Sequence, residues 1–148
     1  MDNYRMDNYR TDRTDGNEAI ARYWMIIAGI ALVGAGLLGF VPSNPIASSD
    51  PAALFRVNAA HNLVHIITGA LALAIAFGTR GRQLGNAAIG FGVLYAIVAV
   101  LLLVDPTMFG LFSDAPTNAA DHALHIVLAV VSIALGYMAR ERSTSLAA

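Results

Sequence analysis

The segment Asn58-Ala59-Ala60-His61-Asn62-Leu63-Val64-His65-Ile66 returns sixty positions later as Asn118-Ala119-Ala120-Asp121-His122-Ala123-Leu124-His125-Ile126. All four histidines of the chain lie in these two copies. A long apolar run follows each copy, so each is predicted to open a helix that continues into a membrane. The duplication therefore decides the fold, and it places ionisable groups where burial is costly.

The composition is that of a membrane protein. Of 148 residues, 57% are hydrophobic and 13% are charged, far from the balance of soluble domains. The chain has no cysteine, which excludes disulfides and thiolate metal sites. A net charge of −1 provides no basic face, so nucleic acid is not an expected partner.

Four apolar stretches are long enough to cross a bilayer, which takes about 20 mainly apolar residues. They cover approximately 23–41, 59–78, 84–104 and 119–139. We predict an all-α polytopic membrane domain over 21–140, built as two tandem helical hairpins. Residues 1–20 are predicted to form a disordered cytoplasmic arm and residues 141–148 a cytoplasmic tail.

The arginines predict the orientation of these spans. If the spans alternate in direction, eight of the nine arginines lie on one side and Arg56 lies on the other. The positive-inside rule then places both termini in the cytoplasm. Two segments of outer loop, one before each repeat copy, face the opposite compartment.

Small residues recur at every fourth position of three spans, which makes smooth stripes where another helix can approach closely. The stripes are Ala31, Ala35 and Gly39 in span one, Ala70, Ala74 and Gly78 in span two, and Ala88, Gly92 and Ala96 in span three. They indicate either packing within the bundle or lateral contact with another membrane protein.

The spacing of the repeated polar residues predicts which of them meet. His61 and His65 are four residues apart, as are Asp121 and His125, so each pair projects from one helix face. Intramembrane ionisable groups normally face the bundle interior. If the hairpins pack around a pseudo-twofold axis normal to the membrane, these four side chains converge between spans two and four.

Three interpretations of this convergence are open. One is a hydrogen-bonded polar latch, in which buried polar groups satisfy one another, made of Asn58, His61, Asn62, His65, Asn118, Asp121, His122 and His125. Another is a site for Zn²⁺ or a different divalent transition metal, with the ligands His61, His65, Asp121 and His125. The last is axial ligation of a tetrapyrrole, haem or chlorophyll, by His65 or His125.

No catalytic motif is visible, because the sequence has no nucleophile elbow, phosphate loop or H-E-x-x-H segment. We predict a non-enzymatic scaffold or accessory subunit of a larger membrane complex, such as a respiratory or photosynthetic one. Its partners are then the bilayer and other integral membrane proteins or further copies of itself. A cofactor-binding membrane protein is the alternative, and a small transporter or proton relay is the third. The third lacks a through-path, because no paired His and Asp continue into the cytoplasmic half, where Asn86 is the lone polar group inside span three.

The chain resembles the small bacterial four-span membrane proteins catalogued as domain of unknown function 4383. The resemblance covers about Arg22 to Arg140, and its most specific part is His61-Asn62-Leu63-Val64-His65 followed by Thr68-Gly69. In the second copy, His122 stands where the family commonly has an amide side chain. The resemblance implies a four-span fold in a bacterial inner membrane and supplies no activity.

Overall fold

The computed structural model describes the backbone of residues 2–140 and the side chains of residues 16–140. Within this part of the chain, four helices and a short parallel ribbon make up the regular structure. The helices are α1 (Asp2–Leu38), α2 (Ala59–Gly78), α3 (Gly81–Val104) and α4 (Ala119–Arg140), and the strands are β1 (Ala47–Ser48) and β2 (Phe55–Arg56). Ala47 pairs with Phe55, and Ser48 pairs with Arg56.

Each helix is long and apolar enough to cross a membrane, through the segment Gly16–Leu38 of α1 and the full length of α2, α3 and α4. Large apolar side chains cover the outside of the bundle, as shown by Phe77 at 72% and Val104 at 74% exposure. Such a surface is stable against lipid and unstable in water. The predicted all-α, four-span membrane fold is confirmed.

The helix ends follow the predicted spans closely, with differences that have local causes. Helix α1 ends at Leu38 rather than at Val41, where the Asn44 amide donates to both the Leu38 and Val41 carbonyls, at 2.7 and 2.8 Å. Helix α3 begins at Gly81, three residues earlier than predicted. Gly81 has a φ of +53°, a conformation that favours glycine and permits the tight turn out of α2.

The amino-terminal segment differs from its prediction. Helix α1 extends back to Asp2, where the sequence predicted a disordered arm over 1–20. Two contacts accompany the helix over its described side chains: Glu18 pairs with Arg22 at 2.9 Å, and the Asn17 amide donates to the Met138 carbonyl at 3.5 Å. The side chains of the earlier arm residues and the predicted tail, 141–148, lie outside the described residues.

The helices pack as two hairpins, α1 with α2 and α3 with α4. A Cβ added at Gly69 would lie 2.8 Å from the Gly29 carbonyl oxygen, and one added at Gly92 would lie 2.7 Å from the Ala129 carbonyl oxygen. The close helix contact of the first hairpin therefore has an equivalent in the second. The small residues of span three, Ala88 and Gly92, are buried in this packing, as one interpretation of the stripes predicted.

Two hydrogen bonds join the hairpins within the membrane-spanning layer. The Trp24 indole N–H of α1 donates to the Ser132 hydroxyl of α4 at 2.8 Å. The Thr68 hydroxyl of α2 and the Tyr95 hydroxyl of α3 lie 2.8 Å apart. The long connections 39–58 and 105–118 lie at one end of the bundle, here called the loop end. Arg22, Arg80, Arg82 and Arg140 mark the other, here called the arginine end.

We expect Gly69→Ala to destabilise the bundle, because the new methyl would meet the backbone of Gly29 and Val33, each at 2.8 Å. Overpacking of this kind lowers the free energy of unfolding by about 1–3 kcal/mol. Unfolding in mild detergent, followed by loss of helicity, measures the change. Gly90→Ala is the matched control, because a Cβ there meets nothing within 4 Å. Equal stabilities of the two variants would contradict the close packing of α1 on α2.

Candidate metal centre

Three histidines from two helices meet near the loop end of the bundle. His61 and His65 project from α2 and His125 from α4, and they are 1%, 2% and 3% exposed. Each histidine contributes one ring nitrogen to a group of three, and these three nitrogens all lie within 4.8 Å of one another. The ring centroids are 4.4 Å apart for His61 and His65, and 6.0 and 6.2 Å from these two to His125. The predicted convergence of spans two and four is present in the structure for these three side chains.

The N-caps of α2 and α4 position the histidines. The Asn58 side-chain oxygen accepts from the His61 backbone N–H at 2.9 Å, which fixes the start of α2 and places His61 in its first turn. The Asn118 side-chain oxygen accepts from the Asp121 backbone N–H at 3.1 Å. The Asp121 carboxylate accepts in return from the Asn118 N–H at 2.8 Å, completing a capping box. His125 then follows one turn later on the same face.

A backbone contact orients the ring of His125. Its Nδ1 lies 2.6 Å from the carbonyl oxygen of Asp121. A carbonyl oxygen only accepts, so we assign the proton of neutral His125 to Nδ1, which leaves the lone pair on Nε2. Histidines that bind metals usually make such a bond with their second nitrogen, because it fixes both tautomer and ring direction.

The ring nitrogens of His61 and His65 are buried and make no well-formed hydrogen bond among the described residues. In this part of the chain, His65 has no hydrogen-bonding neighbour, and His61 has a loose contact with the Arg56 backbone that falls short of a hydrogen bond. A buried polar atom without a partner costs about 1–3 kcal/mol, so such atoms in a native protein require an explanation, and binding of an ion or water is one. A latch made by the imidazoles themselves would instead satisfy these nitrogens.

The Asp121 carboxylate, predicted to be a metal ligand, does not lie in the group of ligand atoms formed by the imidazoles. Its Oδ2 atom accepts from the backbone N–H groups of Asn118 and Arg56, at 2.8 and 3.2 Å, while Oδ1 is buried and unpartnered. The carboxylate therefore holds the first turn of α4 and the loop beside it, and the ligand group has three members.

The asparagines of the predicted latch join the two hairpins at the loop end. The Asn58 amide donates to the Leu111 carbonyl at 3.0 Å and to the Asp114 carboxylate at 2.5 Å. In the equivalent position, the Asn118 amide donates to the Leu54 carbonyl at 3.0 Å. Each N-cap thus contacts the loop of the opposite hairpin. The interhairpin bonds of the latch come from these amides and from the Asp121 carboxylate, which accepts from Arg56 N–H, rather than from imidazoles.

The remaining two members of the predicted latch lie beside the histidine group. Asn62 is 1% exposed and packs so closely against Gly39 that a Cβ on this glycine would overlap its amide. His122 follows Asp121 and lies outside the three-histidine group, with its Nδ1 buried and unpartnered. The structure therefore brings all the predicted polar residues to one end of the bundle and separates three ligand candidates from the others.

Two aromatic residues complete the centre and were not predicted from the sequence. Phe112 stacks on His61 with 4.5 Å between ring centroids, and Tyr95 stacks on His125 at 5.6 Å. For each of them, the sequence contains a feature that could have indicated a role at the centre. Leu111-Phe112 repeats the Leu54-Phe55 pair of the first loop, and Tyr95 carries a lone hydroxyl in an otherwise apolar stretch of α3.

The loop end carries excess negative charge close to the centre. Asp50, Asp105 and Asp114 lie in its loops, where Arg56 is the described residue of opposite charge. The hydroxyl and backbone N–H of Thr107 and the N–H of Phe109 all donate to Asp105 and lower the pKa of its carboxyl. Asp105 is therefore firmly ionised at neutral pH, and the loop end attracts cations.

The fold and the centre define a four-span membrane protein with three buried imidazoles held between two equivalent hairpins. The family described as domain of unknown function (DUF4383) matches residues 22–138. The chain belongs to this family, which confirms the resemblance noted in the sequence. No curated protein and no solved structure matches the chain.

Proposed function

We propose that this protein binds one transition-metal ion through His61, His65 and His125. The observation that carries the proposal is that three buried imidazoles have nitrogens within 4.8 Å of one another, and that four ring nitrogens lack partners. A tetrahedral ion with bonds of about 2.0–2.1 Å sets its ligand nitrogens about 3.3 Å apart. Side-chain rotations that bring the nitrogens up to about 1.5 Å closer would therefore close the site.

The ligand chemistry selects the class of ion. Neutral imidazole suits Zn²⁺, Cu²⁺, Fe²⁺ and Ni²⁺, whereas Mg²⁺ and Ca²⁺ prefer oxygen ligands. Three protein nitrogens leave a fourth position of a tetrahedral ion for water or another small ligand. The Asp121 carboxylate lies one turn from His125 and supplies a negative charge that partly balances the ion.

The same distances favour an ion over a tetrapyrrole. The three imidazole centroids are 4.4 to 6.2 Å apart, and Phe112 and Tyr95 stack on two of the rings. A haem or chlorophyll ring bound by His65 or His125 would have to displace these neighbours, because a macrocycle needs a clear plane about its axial ligand.

A role as accessory subunit of a larger membrane complex is a second proposal, compatible with metal binding. The observation that favours it is that Ala70, Ala74 and Gly78 are all exposed on the lipid-facing side of α2. The bundle leaves this smooth stripe uncovered, and small residues allow another helix to approach closely. The partner is then an integral membrane protein or a further copy of the chain. A non-enzymatic role stays a prediction from the sequence.

For localisation, we propose a bacterial inner membrane with both termini in the cytoplasm. The arginine end carries Arg22, Arg80, Arg82 and Arg140, whereas the loop end carries Arg56 among the described arginines. The positive-inside rule assigns such an arginine-rich end to the cytoplasm. The histidine centre then lies in the half of the bundle that faces the periplasm.

Protein purified from its native membrane in mild detergent should retain about one transition-metal ion per chain, as a three-nitrogen site permits. His65→Ala combined with His125→Ala removes two ligands and should lower the affinity for Zn²⁺ by more than about 100-fold. Metal analysis and competition with a chelating dye measure both quantities. His122→Ala is the matched control, because His122 lies outside the ligand group. Equal metal content in all three proteins would contradict the proposed centre.

Single cysteines test the orientation, since the native chain has none. A cysteine replacing exposed Ser49 at the loop end should react with an impermeant maleimide in intact spheroplasts. One replacing exposed Gln83 at the arginine end should react only after the membrane is permeabilised. The reverse pattern would place the loop end in the cytoplasm.

Stoichiometric membrane partners should accompany the protein through mild-detergent purification if it is an accessory subunit. Ala74→Leu adds bulk to the exposed stripe of α2 and should reduce the amount of partner recovered. Ala134→Leu, at an exposed alanine of α4, is the matched control. Mass spectrometry of the purified sample measures the ratio. A clean monomer, or equal losses in both variants, would contradict this role for the stripe.

A further inference from the structure

We infer that the metal ion enters and leaves the centre from the loop end of the bundle, past the side chain of Phe112, and not through the arginine end. The inference rests on the proposed metal-binding function and adds to it the direction of exchange and the residue that covers the centre. The exchanged species is a hydrated divalent transition-metal ion from the compartment that the loops face.

The position of the ligands along their helices supports this direction. His65 lies six residues from the start of α2 at Ala59 and thirteen from its end at Gly78. At about 1.5 Å per residue, these separations are roughly 9 and 20 Å. His125 has the same distance to the start of α4 and a longer one to its end at Arg140. The centre is therefore close to the loop end and far from the arginine end.

Polar atoms continue from the centre toward the loops. Besides the three clustered imidazoles, three buried side-chain atoms of the described residues can accept and lack partners: Asn62 Oδ1, Asp121 Oδ1 and, in one tautomer, His122 Nδ1. They belong to the opening turns of α2 and α4. Because an ion sheds its hydration shell on entering a bundle, such acceptors lower the cost of that step. The negatively charged loop end also raises the local concentration of cations.

The opposite direction is closely packed, and its polar pairs, Trp24 with Ser132 and Thr68 with Tyr95, are already hydrogen-bonded to each other. After His65 in α2, and between His125 and Arg140 in α4, no charged or imidazole side chain occurs. In this half, α3 and α4 contact backbone to backbone, since a Cβ added at Gly85 would lie 2.7 Å from the Gly136 carbonyl oxygen. An ion crossing this layer would lose its hydration without replacement ligands. The predicted transporter or proton relay would need ligands along this same route.

Phe112 closes the loop end over His61. It is 3% exposed, and its ring is nearly parallel to the imidazole, at an angle of 16°. The loop that carries it includes three consecutive residues of positive φ, Met108, Phe109 and Gly110, at 48°, 56° and 92°. The first two hold a conformation that is unfavourable for side chains with a Cβ. The cover is thus part of a tightly turned loop, which must rearrange before His61 is reached.

The sidedness is tested with protein loaded with Co²⁺, whose visible absorption reports coordination, and reconstituted in proteoliposomes. In the variant Ser49→Cys, labelling of the new thiol from outside measures the fraction of molecules whose loop end faces outward. EDTA added outside should remove Co²⁺ from this fraction and leave the rest bound. Removal of Co²⁺ from the molecules whose arginine end faces outward, or from all molecules, would overturn the inference.

The role of Phe112 as a cover is tested by measuring how fast EDTA removes Co²⁺. Phe112→Ala should speed the loss of Co²⁺ by about tenfold, because it removes the ring that covers His61. Phe109→Ala is the matched control, since Phe109 lies in the same loop and is 72% exposed. Unchanged rates in Phe112→Ala, or equal acceleration in both variants, would overturn the role of Phe112. If this variant fails to fold, the sidedness measurement, in which Phe112 is unchanged, still decides the direction.

The two proposals fail in different ways. Wild-type protein that binds no Co²⁺ or Zn²⁺ would overturn metal binding and this inference together. Wild-type protein that binds an ion, loses it in the double histidine variant and releases it from the arginine end would overturn the inference alone.

Discussion

The asparagine N-caps of α2 and α4 are the contacts on which the loop end of the bundle depends. Each side-chain oxygen accepts a backbone N–H of its own helix, and each amide donates to the loop of the opposite hairpin, Asn58 to Leu111 and Asn118 to Leu54. These bonds tie the start of each helix to the loop of the other hairpin, and together they fix which turn of α2 faces which turn of α4. The relative positions of the three imidazoles follow from that alignment.

The sequence was sufficient to predict the architecture because two physical constraints coincide in it. Membrane spans need long apolar runs, and the predicted limits of 59–78 are those of α2. Intramembrane polar groups must face the interior, and the i, i+4 spacing of His61 and His65 then selects one helix face. Together these constraints predicted that the histidines of spans two and four converge, and three of them do, although α2 packs chiefly on α1 and α4 on α3.

The features that could not be predicted from the sequence depend on contacts between residues that lie far apart in the chain. Asp121 had the chemistry of a ligand and the spacing of a capping residue, and only the structure shows that Asn118 and Arg56 engage its carboxylate. Phe112 lies in a loop whose path requires positive φ at two non-glycine residues, a choice that local preferences oppose. Its stacking on His61 was therefore not derivable from the residues of the loop alone.

The difference between the two repeat copies explains why the centre has three imidazoles. His61 and Asp121 occupy the same position in the first turn of their helices, yet one ring joins the centre and the other side chain completes a capping box. Two identical histidine copies would bury a fourth imidazole and lose the carboxylate that secures α4. Two identical aspartate copies would bury a second negative charge in an apolar bundle, at a larger cost in desolvation. The mixed pair leaves three imidazoles with one hydrogen-bonded carboxylate nearby, and this is the set of groups on which the proposed binding of a divalent cation rests.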